Sequence, residues 1–344
     1  MMQALAKEAE GERNYLKEEK INSIYFGGGT PSILEANDLE FLLAALYKNY
    51  PVIKDVEITL EANPDDITTD SLKSWTAVGI NRLRIGVQSF FEEELRWMNR
   101  AHNATQALDS IHLAKEHFED ITVDLIYGSP LLTDEMWKQN VERATELGIP
   151  HLSCYALTVE EKTRLHKLIH THKTQDVDND KQARQFLLLM QWLKEYGYEH
   201  YEVSNFAKPG FRSQHNSSYW KGEKYLGIGP SAHSYNGVER RWNIANNNIY
   251  TRDIQEGHPQ RETEQLTSSQ QLNEFIMISL RTKEGLDLNK LENGWGLQQR
   301  ELIGQQVEKY RNNKLVEINQ GVVQLTDEGM LRADGIASDL FVVA

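Results

Sequence analysis

One cysteine, Cys154, is present in 344 residues. A single thiol excludes an internal disulfide and any all-cysteine metal site. No run of eighteen apolar residues occurs, so the chain holds no membrane-spanning helix. Basic charge is also short: 37 Lys and Arg stand against 51 Asp and Glu, a formal net charge of −14. A general nucleic-acid binder needs a basic face to displace counterions, and that class is set aside. The N-terminus, Met1-Met-Gln-Ala-Leu-Ala-Lys-Glu-Ala-Glu10, has no signal-peptide pattern. A cytoplasmic protein is the expectation. With 40% hydrophobic residues, the chain has enough apolar surface for one large domain and a smaller one.

The most informative stretch is Ile24-Tyr-Phe-Gly-Gly-Gly-Thr-Pro-Ser32. Its first three residues read as the end of a buried strand. The glycines permit backbone angles that other residues avoid and let a bound molecule come close. Thr30 or Ser32 is placed to cap the helix that follows. No Gly-Lys-Ser/Thr follows, so this is not a P-loop, and it is not a Gly-x-Gly-x-x-Gly fingerprint. In isolation it is a flexible strand-to-helix turn. The pattern after it gives it meaning.

Residues 1–18 read as the later part of a helix, and 21–26 as a strand. Strands are expected at 56–60, 82–87, 121–127 and 151–157. Helices are expected at 36–49, 69–78, 91–98, 104–118 and 134–147. This alternation marks βα units on a parallel sheet, whose ligands bind at the C-terminal strand ends. Polar groups gather there: Gly27 to Thr30 close the first strand, Glu61 the second and Gln88 the third, while Asp124 lies in the fourth. Arg100 is on the loop after Gln88. The set suits a ligand with hydroxyls, an amine and a carboxylate. Glu61 and Asp124 can accept from hydroxyls, and Arg100 and Gln88 can hold a carboxylate.

Beyond 157 the alternation loosens. His170 and His172 lie in a polar stretch, 170–180, that reads as solvated loop. A helix at 181–196, a strand at 198–206 and a polar, aromatic loop at 212–220 follow. Residues 225–234 form a further glycine-containing segment. Residues 246–262 read as a linker between a domain at 1–245 and an accessory domain at 246–344. The latter has helices at 263–281, near 288–292 and 299–310, strands at 314–318 and 322–325, and a last helix from Thr326. That order resembles a winged helix, and its acidic surroundings suit packing or a lid better than DNA.

Eight motifs occur in one order: Phe-Gly-Gly-Gly-Thr-Pro-Ser (26–32), Glu-Ala-Asn-Pro (61–64), Gly-Val-Gln-Ser-Phe (86–90), Asn-Arg-Ala-His (99–102), Asp-Leu-Ile-Tyr-Gly (124–128), Glu-Val-Ser-Asn-Phe-Ala (202–207), His-Asn-Ser-Ser-Tyr-Trp (215–220) and Gly-Ile-Gly-Pro-Ser-Ala-His-Ser (227–234). On them the chain resembles the radical S-adenosylmethionine (SAM) proteins related to oxygen-independent coproporphyrinogen III oxidase, in their HemW-type haem-chaperone branch. The resemblance implies an α/β fold: a partial (β/α)6 barrel lacking its first strand, plus a smaller winged-helix-like C-terminal domain. It implies that Gly28, Gly29 and Thr30 hold the methionine amino end of SAM. Glu61 and Asp124 would contact its ribose and nearby polar atoms, and Gln88 and Arg100 would fix the ligand and its carboxylate. The segment at about 205–235 carries the family's haem motif. His215 is its candidate iron ligand, with Asn216 in the motif and Tyr219 and Trp220 packing on the macrocycle. Haem or porphyrin and haem-acceptor proteins are the implied partners.

One family feature is missing. The Cys-x-x-x-Cys-x-x-Cys loop that holds a 4Fe–4S cluster has no counterpart, and Cys154 lies in an apolar strand as a small buried hydrophobe. This chain is expected not to build the cluster or start radical chemistry. The family's first strand and cysteine loop would precede Met1, so a truncated form is expected. The raw sheet edge is then an aggregation or homodimerisation liability. A naturally cluster-free haem-binding protein and a coproporphyrinogen III oxidase are the alternatives.

Overall fold

The computed structural model describes residues 1–17 and 19–342. Its main sheet contains β1 (Ile21–Phe26), β2 (Val52–Ala62), β3 (Arg82–Gln88), β4 (Asp120–Tyr127), β5 (His151–Ala156), β6 (Glu199–Glu202) and β7 (Asn205–Ala207), in the order β1-β2-β3-β4-β5-β7-β6. Strands β2 to β5 pair in parallel, and β7 runs antiparallel to β5. The connecting helices include α1 (Met2–Gly11), α2 (Ala36–Asn49), α3 (Thr69–Ala77), α4 (Glu92–Trp97), α5 (Ala104–Lys115), α6 (Asp134–Glu146), α7 (Arg164–His170) and α8 (Asn179–Glu195). Among the described residues no helix is long and apolar enough to cross a membrane.

Contacts divide the chain into two compact units. The first comprises Phe26–Ile33 and Thr59–Arg212. Strand alternation builds its core: Leu83, Ile85 and Val87 on β3 are fully buried, as are Val123 and Leu125 on β4. The intervening residues Arg84, Gly86, Gln88 and Asp124 stand on the other face. The helices begin on strong signals. Thr68 and Ser71 form a capping box on α3, and Asn103 and Gln106 another on α5. Each such cap stabilises its helix by about 1 kcal/mol. Trp137 on α6 is fully buried and donates from Nε1 to the Gln185 carbonyl of α8 at 3.2 Å.

The second unit comprises Met1–Tyr25, Leu34–Ile58 and Ser213–Ala344. It contains α9 (Gln214–Trp220), β8 (His233–Tyr235), β9 (Glu239–Asn243), α10 (Asn247–Glu256) and β10 (Arg261–Gln265), with a sheet in the order β10-β9-β8. Helix α1 packs Ala4 against Tyr250 and Ile254 of α10. Its Glu8 is buried, and accepts from the Gly229 amide, Asn243, Tyr250 and Arg261 at 2.6–2.9 Å. A buried carboxylate survives here because four donors replace its water. The chain ends in α11 (Ser268–Leu280), β11 (Leu286–Asp287), α12 (Leu288–Trp295), α13 (Leu297–Asn312), β12 (Val316–Asn319), β13 (Val322–Leu325), α14 (Asp327–Met330) and α15 (Ala333–Asp339). Leu272, Ile276, Leu291, Ile303, Val323 and Ile336 belong to one core there.

Four local expectations are corrected. The single strand expected over 198–206 is the hairpin β6–β7, reversed at Val203-Ser204. The loop expected at 212–220 contains α9, started by Ser213, whose Oγ accepts from the Asn216 amide at 3.1 Å. The linker expected at 246–262 contains α10 and the start of β10. Asn246 caps α10, and Gly257, with φ of +80°, ends it. Neither Thr30 nor Ser32 caps α2; its N-cap position is Glu35, and Ser32 donates to Asp66 at 2.6 Å.

Candidate functional site

An open cavity of about 140 Å³ lies at the C-terminal ends of β2, β3 and β4. Gly29, Thr30, Glu61, Gln88, Arg100 and Asp124 line it, together with Ser32, Asn63, Arg84 and Gly86. The parallel register places Glu61 beside Arg84, and the alternation of β3 puts Arg84, Gly86 and Gln88 on one face. Gly28 and Gly29 have φ of +78° and +68°, in the left-handed region, and a Cβ at either would meet nothing within 4 Å. Their conformation, not crowding within the chain, requires glycine. The Gly28 amide donates to Glu61 at 3.1 Å, which ties the turn to the cavity wall.

Gln88 also sits in the left-handed region, with φ of +69°, where β3 shifts register against β4. A non-glycine residue held there costs roughly 1–3 kcal/mol, and such strain gathers at ligand sites. Gly86 is small for a local reason: a Cβ would stand 3.1 Å from Gln88 Nε2 and 3.4 Å from Arg100 Nη2. Arg100 donates from Nη2 to Asn63 Oδ1 at 2.9 Å and to the Gly86 carbonyl at 3.1 Å. Its Nε is buried with no hydrogen-bond partner. Burial pulls the guanidinium pKa down, against the pull of Asp65 and Asp124. A buried donor at a cavity wall is a place for an anionic ligand atom.

Asp124 is held from within. Arg84 Nε lies 2.9 Å from both of its oxygens, and Arg84 Nη2 donates to Tyr155 at 2.7 Å. Arg84 Nη1 is 3.8 Å from Glu61. Burial pushes the Asp124 carboxyl up, and Arg84 opposes the shift. One cation therefore lies between two carboxylates. Sequence reasoning missed Arg84. The signal was present, because strand period puts it on the same face as Gln88. His170 and His172, read as solvated, stand exposed.

The 215–220 segment lies in the second unit, wholly on α9. Glu57 of β2 accepts from Ser213 Oγ at 3.1 Å, the Gln214 amide at 2.9 Å and the His215 amide at 2.8 Å. This buried anion fixes the start of the helix. The His215 ring stacks on Tyr25 of β1, with centroids 4.6 Å apart and planes 13° apart, and meets Tyr219 edge-on at 5.1 Å. His215 Nδ1 is 3.0 Å from Ser23 Oγ. Tyr219 is 40% exposed, and it packs against Tyr225. Burial, with Tyr225 nearby, pushes its hydroxyl up to about 12, so it is neutral at ordinary pH. Trp220 lies under the Arg281 guanidinium, 5.4 Å from centroid, and its Nε1 is buried with no hydrogen-bond partner. Asn216 caps no helix itself; its amide donates to Ser213.

Comparison with known proteins sets the class first. A Radical SAM superfamily profile matches residues 5–144, and a HemN C-terminal domain profile matches 266–332. The solved structure of Escherichia coli coproporphyrinogen III oxidase (HemN), a radical SAM enzyme, superposes with a TM-score of 0.83. It covers 99% of this chain and 82% of its own, at 23% identity, so the likeness is one of fold. The fold is thus that of a radical SAM half-barrel protein with a HemN-type C-terminal domain.

Closer relatives narrow this. The heme chaperone HemW of Lactococcus lactis is 37% identical over 312 residues, spanning 90% of this chain and 82% of the relative. That of Bacillus subtilis is 31% identical over 332 residues, spanning 92% and 88%. The chain belongs to the HemW family of radical SAM proteins.

The family's two small-molecule groups and its cluster fit unequally. The cavity, with its unpartnered Arg100 Nε and its two carboxylates, fits SAM. The part-buried imidazole among aromatic rings fits haem. A 4Fe–4S cluster does not fit the residues present. Cys154 is 1% exposed within β5, and burial pushes its thiol well up. Among the described residues no three His, Cys, Asp or Glu side chains converge as metal ligands.

Proposed function

We propose that this chain binds haem at His215 and SAM in the strand-end cavity, and that it delivers haem to acceptor proteins. The observation that carries the reading is the preformed setting of His215: stacked on Tyr25, hydrogen-bonded at Nδ1, and fixed through its backbone by Glu57. An imidazole is a common axial ligand of haem iron. Tyr219 and Trp220 follow on the same helix to pack on the macrocycle, and Asn216 belongs to the same segment. Membership of a family whose relatives carry the name heme chaperone supports delivery over catalysis.

In the cavity, the backbone of Gly28, Gly29 and Thr30 receives the amino end of SAM. Arg100 takes the carboxylate with its unpartnered Nε, and Gln88 helps to fix it. Glu61 and Asp124 accept from the ribose hydroxyls. SAM, once bound, supplies a sulfonium and an adenosyl group. No radical step is assigned to this chain.

The test is transfer. The haem-loaded chain is mixed with a haem-depleted extract of the source cell, and in parallel with apomyoglobin as a passive trap. Delivery predicts faster loss of haem to the extract than to the trap. Equal rates would mean simple dissociation, and the delivery reading would fail.

A further inference from the structure

The end of β3 gives two successive carbonyls to the loop between α4 and α5. Its register with β2 runs to Ile85, and its register with β4 passes from Ile85 to Gln88. Arg100 Nη2 donates to the Gly86 carbonyl at 3.1 Å, and His102 Nε2 donates to the Val87 carbonyl at 3.0 Å. A carbonyl only accepts, so Nε2 carries the ring proton. Burial, with the Arg100 cation nearby, pulls the His102 pKa down, and the ring is neutral with that one proton. The same Val87 oxygen accepts from the Ser89 amide at 2.9 Å, two residues along. With φ of +69° at Gln88 between them, this is the rare, strained γ-turn of positive φ. Its exit is fixed as well: Asn140 of α6 accepts from the Phe90 amide at 2.8 Å and donates to Ser89 Oγ at 3.1 Å. His102, Ser89 and Asn140 are all buried. A strained residue persists only where its surroundings over-determine it. Of the three turn residues, Gln88 is the one that lines the cavity.

We infer that His102 is a positioning residue for the cavity: its Nε2–H holds the Val87 carbonyl, keeps the γ-turn, and so keeps the Gln88 side chain on the ligand. The inference rests on the reading of the cavity as a SAM site. His102 acts through the backbone. Its ring proton and the Ser89 amide use the two lone pairs of one oxygen. Without the ring proton, the turn is free to relax toward the negative φ that a glutamine prefers, and that rotation carries the Gln88 side chain off the cavity wall. The Asn-Arg-Ala-His segment (99–102) thus serves the cavity twice: Arg100 directly, and His102 through the turn.

The test measures SAM binding by calorimetry in the full chain and in His102→Phe, His102→Gln, Gln88→Ala and the double variant of His102→Phe with Gln88→Ala. Phe keeps a ring and removes the donor. Gln carries an amide to about the place of Nε2. One net hydrogen bond shifts a local equilibrium roughly three- to tenfold, and apparent affinity falls with the competent fraction. His102→Phe is therefore expected to bind SAM about three- to tenfold more weakly, and His102→Gln to bind as the parent does. In the Gln88→Ala background, His102→Phe is expected to cost no further affinity. If His102→Phe does not fold, His102→Asn, whose amide stops short of the Val87 carbonyl, takes its place. Equal losses from the His102 change in both backgrounds would mean a general disturbance of the cavity and would overturn the positioning role. Parental affinity in His102→Phe beside a loss in Gln88→Ala would overturn it too, and leave the SAM reading standing. If His102→Gln fails as His102→Phe does, the donor is not what matters, and the role is again overturned. If the parent binds no SAM, the reading of the cavity fails; if Gln88→Ala binds as the parent does, the part of Gln88 in it fails. Either result takes this inference with it.

Discussion

Replacing Arg84 by Met should expose how the cavity carries two carboxylates. Arg84 is 24% exposed and Asp124 is 14% exposed, so water screens the pair only in part. The guanidinium makes two contacts of 2.9 Å to Asp124 and one of 2.7 Å to Tyr155. Breaking a fully buried pair from one side costs about 3–5 kcal/mol. The cavity admits water to Asp124, so about 2–3 kcal/mol is expected for Arg84→Met. Asp124→Asn keeps an acceptor for Arg84 and should cost about 1–2 kcal/mol. The double variant should cost about as much as Arg84→Met alone, a coupling of about 1–2 kcal/mol. Burial holds the folded-state carboxyl pKa above its unfolded value even with Arg84 present. Without Arg84 the rise is larger. A raised acid gains stability as pH falls through its folded pKa, because the native state then takes up the proton. The deficit of Arg84→Met relative to the parent should therefore shrink from pH 8 to pH 4. Urea unfolding of the four proteins at both pH values measures each term. Additive losses, with coupling below about 0.5 kcal/mol, and a deficit indifferent to pH would refute the pairing.

Other outcomes follow from the same geometry. Gly86→Ala places a methyl against Gln88 and Arg100; calorimetry should show SAM binding weakened about three- to tenfold, about 1 kcal/mol, with the unfolding midpoint little changed. Glu57→Gln keeps one acceptor but loses the anion beneath α9. Hydrogen exchange at residues 214–217 should speed up while the strands of the first unit keep their protection. Glu94 is fully buried, with Oε2 accepting from Ser129 at 2.6 Å and Oε1 lacking a hydrogen-bond partner. Burial raises its carboxyl. The charged form is thus a liability that grows as pH rises, and Glu94→Gln should gain on the parent by about 1 kcal/mol between pH 4 and pH 8. A gap constant with pH would show that the carboxyl is not the group responsible.

Much of the first unit was legible because its signals are local. Strand period and helix spacing located β3 to β5 and the helices between them. The rule that parallel strands present ligands at their C-terminal ends singled out Glu61, Gln88 and Asp124, and all three line one cavity. Arg84 was equally legible by alternation, and was passed over because it lies inside a strand, not at its end. The second unit resisted for a different reason. Helix α9 depends on Glu57, 158 residues away from His215, and Ser23 is 192 residues from it. No window of sequence contains such a pair. Helix α10 carried its own marks, Asn246 at one end and Gly257 at the other. Its polar face masked the two apolar residues, Tyr250 and Ile254, that it buries.

The haem site rests most directly on a titration of the purified chain and of His215→Ala with haem, followed by absorbance. The geometry around His215 predicts saturable one-to-one binding by the parent with a histidine-ligated spectrum, and binding at least about tenfold weaker by the variant. Equal and weak binding by both proteins would contradict a haem site at His215.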